Sequence, residues 1–91
     1  MNVLKDKLYR EYLKIKEARV ELNDLLSQWE HLSLAFGSNE SSVKRLEDQI
    51  NNIYKEFPYL SSKADTLNIQ FPLILRFIKY MDKRIGILED L

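Results

Sequence analysis

The sequence predicts an all-α fold, an antiparallel long-helix hairpin or a three-helix bundle with coiled-coil (heptad) packing. Three observations predict it. From Val43 to Leu88 a heptad reading places Val43, Ile50, Phe57, Ala64, Phe71, Ile78 and Ile85 at a, and Leu46, Ile53, Leu60, Leu67, Ile74, Met81 and Leu88 at d. All are apolar and alternate by three and four, the repeat of helices packed knobs into holes. An earlier series, with Leu8, Ile15, Leu22, Trp29 and Phe36 at a and Leu4, Glu11, Ala18, Leu25 and Leu32 at d, is broken only by Glu11. Finally, 91 residues contain only 2 glycines and 2 prolines, which fits long helices with few turns.

The first helix is expected over 2–36. Good helix formers fill its surface, and Asp6 precedes Arg10 by four residues in the favourable acid-first order. A weaker apolar stripe, Leu13, Val20 and Leu34 with Tyr9, lies on its far side. Scattered surface hydrophobics are common, so a second contact face is the sharper of two readings. Gly37 stops the helix as a left-handed cap, and Ser38 or Asn39 then caps the next helix with Glu40 in its first turn. So short a connection folds the second helix back antiparallel.

That second helix is expected over 40–57, broken near 58–61 by Pro58, which lacks a donor and disfavours helical geometry at Phe57. Ser62-Lys63-Ala64-Asp65 approximates a capping box for a third helix over 61–90, kinked at Pro72. One kinked helix over 40–90 is the rival. Around Pro72 the apolar face widens through Leu73, Leu75, Phe77 and Tyr80, so it needs more than one neighbouring helix. Gly86 costs some helicity near the end.

This length fits a single helical domain, 1–91, with a modest core. Lys and Arg number 14, as do Asp and Glu, so no net charge recruits nucleic acid or an anionic membrane. The first twenty residues carry six basic and three acidic groups, read as a solvated helix face. Cysteine is absent, which excludes disulfides, thiolate metal sites and cysteine nucleophiles. Without a secretion signal, Asn39-Glu40-Ser41 reads as a cap rather than a glycosylation sequon, and the expected location is intracellular and cytoplasmic.

Groups for catalysis are few. His31 is the only histidine and lies beside the seam, as a surface residue would. Glu47-Asp48 and Glu89-Asp90 are adjacent on helices, where neighbours diverge by roughly 100°. No glycine-rich loop could cradle a phosphate. Trp29 sits at a, a core position. No catalytic, cofactor-binding or metal-binding residue is expected.

Two short resemblances bear on the reading. Leu8-Tyr9-Arg10 resembles the tripeptide of the LYR-motif mitochondrial assembly factors, which implies a small helical protein; it covers three residues. Ser42-Val43 with Leu46 and the run to Leu67 is similar to the second helix of a spectrin-type repeat. Trp29 precedes Val43 by only fourteen residues, so this likeness implies three-helix architecture rather than membership.

The expected function is a non-enzymatic protein–protein interaction module, a subunit or adaptor docking through helix–helix contacts. Alternatives are a small chaperone or inhibitor that masks a client's amphipathic helix and, third, a peripheral membrane binder using Phe71 to Met81. A turn at 37–39 makes level residue numbers total about 76 in the first two helices. Whether the third segment continues or climbs back, about Ile78 to Leu91 then overhangs. The expected interface is therefore Leu73, Phe77, Ile78, Tyr80, Met81, Ile85, Ile87 and Leu88. Its expected cover is another protein chain, most simply a second copy in a homodimer or else a hetero-complex partner, with no nucleic acid and no membrane.

Overall fold

The computed structural model describes residues 3–37, 39–60 and 71–91, the last without the side chains of Phe71, Pro72 and Leu73. Three helices make up the described chain: α1 (Val3–Phe36), α2 (Ser41–Glu56) and α3 (Phe71–Glu89), with no strand among the described residues. α1 is the spine and packs against both other helices. At 1.5 Å per residue its 34 residues extend about 51 Å, matching the 52 Å long axis of the molecule.

The α1–α2 turn follows from Gly37. Its φ of +86° is the left-handed geometry that a Cβ disfavours, and its N–H donates to the Ser33 carbonyl at 2.9 Å. The capping expectation is corrected here. Glu40 is the N-cap, with extended backbone and no side-chain cap bond, and its carbonyl accepts from the Lys44 N–H at 3.1 Å. Ser38 lies outside the described residues. α2 runs back antiparallel: the Trp29 Nε1–H donates to Glu47 at 3.1 Å, the register that the tight turn sets.

α2 ends at Glu56, because Phe57 leaves the helical region with ψ of 66° ahead of Pro58. A turn follows, closed by the Leu60 N–H on the Phe57 carbonyl at 2.9 Å. The expected helix over 61–70, its capping box and the register through Ala64 and Leu67 lie outside the described residues. So does the helix that a kink at Pro72 would need on its near side.

The direction of α3 overturns the overhang. Arg19 Nε donates to Asp82 at 2.9 Å, and the Tyr12 hydroxyl donates to Glu89 at 3.3 Å. As the α1 number falls from 19 to 12, the α3 number rises from 82 to 89. α3 therefore runs antiparallel to α1 and parallel to α2, neither continuing beyond Met1 nor climbing back. Asp82 to Glu89 lie along 12–19 in the first half of α1, with Ile78 and Ile85 packed on the core, so Ile78 to Leu91 has the intrachain partner that the tight-hairpin arithmetic denied it.

The core follows the three-four spacing: Ile15, Ala18, Leu22 and Leu25 from α1; Val43, Leu46, Ile50 and Ile53 from α2; Ile74, Phe77, Met81 and Leu88 from α3. Phe57 and Leu60 close it below α2. Phe77 sits 5.0 Å from the Tyr54 ring and 6.4 Å from the Phe57 ring, centroid to centroid, where the foot of α2 meets α3. Two seam expectations need correction. Trp29 is only half-buried, packed on the core edge with its N–H on Glu47. Phe77 displaces its neighbour Ile78 from the seam, leaving Ile78 and Ile85 half-buried. At the two ends of α1, Leu4 and Phe36 are exposed.

Candidate protein-interaction surface

The residue that broke the apolar seam organises the lower half of the molecule. Glu11 accepts two hydrogen bonds from one guanidinium, Arg84 Nε at 2.7 Å and Nη2 at 2.9 Å. The Tyr59 hydroxyl donates to the same carboxylate at 2.9 Å. A charge at a core-facing position needs such partners, and planar guanidinium meets carboxylate in two parallel bonds. The side chains of Glu11 and Arg84 are 22% and 32% accessible, shielded enough for the pair to tie α1 to α3. Arg84 holds the Glu11 carboxyl below its ordinary value against the opposing pull of burial, and Tyr59 adds to the lowering. Burial, then the anionic Glu11, pushes the Tyr59 hydroxyl up to about 12.

The expected interface residues divide. Phe77, Met81 and Leu88 are buried in the chain's own core, Met81 completely, so they are internal packing residues. Ile78 and Ile85 pack half-buried against that core, and Tyr80 and Ile87 are exposed. The side chain of Leu73 lies outside the described residues. α3 thus presents Tyr80 and Ile87 as its accessible apolar groups from that set.

Apolar groups collect at three places on the described surface. On α1, Tyr9, Leu13, Val20 and Leu34 are exposed, Val20 at 65% and Leu34 at 83%. At about 100° per residue these four fall within an arc of about 60°, opposite the face that carries Ile15, Ala18, Leu22 and Leu25. The second surface is a groove of about 520 Å³ below the foot of α2, lined by Pro58, Tyr59 and Leu60 on one side and Tyr80, Lys83, Arg84 and Ile87 on the other. A further groove of about 460 Å³, with Tyr9, Tyr12, Leu88 and Leu91 in its wall, lies at the pole where α1 begins and α3 ends. Sequence reasoning found the α1 stripe from its spacing. It missed the groove, whose walls come from segments that only the direction of α3 brings together.

Among the described residues, no group of three or more His, Asp or Glu is placed to hold a metal ion. No helix among them is long and apolar enough to cross a membrane. Comparisons with protein-family models, with curated proteins and with solved structures find no match.

Proposed function

We propose that this chain is a non-enzymatic protein–protein interaction module, a helical subunit or adaptor that docks onto a partner through helix–helix contacts. One observation carries the reading: α1 is apolar on two opposite faces. One face is consumed by α2 and α3, while Tyr9, Leu13, Val20 and Leu34 stand in water along the other. Single exposed hydrophobics are ordinary, but four aligned on one arc of a helix resemble a contact stripe. The three-four spacing of the core supports coiled-coil packing of α1 on α2, and a second helix laid along the outer stripe would extend the same scheme.

The partner is a protein, either a second copy or a different chain, and a cytoplasmic location is part of the proposal. Affinity purification of the tagged full chain and of a Val20→Glu, Leu34→Glu variant from the native cell tests it, read by cross-linking and light scattering. Expected is a chain, or a second copy, cross-linked at the stripe of the parent and lost from the variant. A parent that stays monomeric at high concentration, with a cross-linking pattern identical to the variant's, would sink it.

A further inference from the structure

α1 is graded in charge along its length. Residues 1–20 hold six basic and three acidic side chains, whereas residues 21–36 hold three acidic ones, Glu21, Asp24 and Glu30, and no lysine or arginine. Beside the outer stripe the same grading holds. At about 100° per residue, Lys5, Arg10 and Lys16 flank its first half, opposed there by Asp6 and Glu17. Asp24 and Glu30 flank its second half with no lysine or arginine beside them. All of these flanking side chains are exposed. Arg19 and Glu11 are already matched inside the chain, by Asp82 and Arg84. Arg10, Asp24 and Glu30 make no ion pair among the described residues.

A second copy turned end for end supplies the complement of such a gradient. A two-fold axis crossing the middle of α1 lays the two stripes together antiparallel, so the basic half of each helix meets the acidic half of the other. With the axis near Val20, close to the midpoint of α1, level residue numbers total about 40. Lys16 is then level with the partner's Asp24, and Val20 meets its own copy. A parallel pair would set cations on cations and anions on anions, and like charges across an interface are costly. The net charge of zero leaves no overall repulsion between copies.

We infer that α1 pairs antiparallel with α1 of a second copy along the stripe from Tyr9 to Leu34, about a two-fold axis near Val20; this rests on the stripe being a contact face and commits it to a copy of the same chain.

The chain lacks cysteine, so an introduced thiol stands alone and can be linked selectively. Asp6 and Ala35 lie at opposite ends of α1, beside the stripe and exposed. In the antiparallel pair, Asp6→Cys of one copy is level with Ala35→Cys of the other, within reach of a short bis-maleimide. Two copies of the same position stand about 40–45 Å apart. A mixture of the two full-length variants should therefore give the 6–35 linked peptide, and each variant alone should give none. Sedimentation equilibrium of the parent should show a dimer that Val20→Glu abolishes. Lys16→Glu and Asp24→Lys should each raise the dimer dissociation constant at least roughly fivefold, and the chain carrying both should recover most of that loss. Val20, Lys16 and Asp24 are exposed, so each variant should keep its helical circular dichroism, which is checked first. Linked peptides at 6–6 or 35–35, or a double reversal no better than the single ones, overturn the proposal. A dimer indifferent to Val20→Glu overturns it as well. A monomeric parent with a different chain cross-linked at the stripe overturns the self-pairing and leaves the contact stripe standing, whereas a monomeric parent with nothing cross-linked there overturns both.

Discussion

At the residue scale, Glu11 shows how a defect in a pattern becomes a fixing point. Glu11→Gln removes the charge that Arg84 and Tyr59 both address, and should cost about 1–2 kcal/mol. Arg84→Lys should cost a similar amount, because an ammonium cannot make the two parallel bonds. A double-mutant cycle in urea measures the coupling, and additive effects would mean that the pair does not tie α3 to α1. The pH dependence follows from the shifts. Glu11 titrates lower folded than unfolded, so its contribution is complete above the ordinary value of 4.5 and fades as pH falls through the folded one. Tyr59 titrates higher folded, so its contribution is complete below 10.0 and fades as pH rises toward about 12. Urea midpoints should therefore plateau from roughly pH 5 to 10. Relative to the parent, Glu11→Gln should lose less on the acid side and Tyr59→Phe less on the alkaline side. Phe57, 2% exposed, is the aromatic anchor. Phe57→Ala should cost about 3–5 kcal/mol, and Trp29→Ala clearly less, from its half-buried edge position. Equal midpoint shifts would contradict that ranking.

At the element scale, the two glycines have opposite expectations. Gly37 holds φ of +86°, so Gly37→Ala should destabilise by about 1 kcal/mol although nothing obstructs the added methyl. Gly86 lies inside α3 with open space around its missing Cβ, so Gly86→Ala should stabilise by about 0.5–1 kcal/mol. Thermal melts of both variants check the signs. These positions also show what the sequence carried legibly. Gly37 marked the end of α1, Pro58 marked the end of α2, and the three-four spacing identified Ile15, Leu22, Val43, Ile50 and Phe57 as core. The exchange of Phe77 for Ile78 in the seam was not legible. Both are large and apolar, one residue apart, and only the rings of Tyr54 and Phe57 at the foot of α2 select the aromatic one.

At the scale of the whole molecule, the direction of α3 decides which surfaces are inside. Spacing reports which face of a helix is apolar but not which way that helix points, so the overhang and the interface built on it followed from a direction that α3 does not take. Met81 and Leu88 fill the lower core as a result. Met81→Ala should cost about 2–5 kcal/mol and loosen α1 below Ala18 together with α3. Hydrogen exchange should show amides of 5–17 and 78–88 losing protection together, while those of 22–32 and 43–53 keep more of theirs. Protection lost evenly along α1 would contradict a molecule of two unequal halves.

The antiparallel seating of α3 has a consequence in time as well as in space. The upper hairpin joins residues about eighteen apart, as Trp29 and Glu47 are, and can close soon after its turn is made. The lower half joins residues 63 and 77 apart, Arg19 to Asp82 and Tyr12 to Glu89. At about 5–20 residues per second of synthesis, a ribosome takes roughly 3–13 s to travel from Arg19 to Asp82. Through that interval Leu8, Tyr12 and Ile15 have been made but the helix that covers them has not. Leu8, Tyr12 and Ile15 are thus among the last of the core to be sheltered, and an amphipathic helix already waiting nearby would meet them before α3 does.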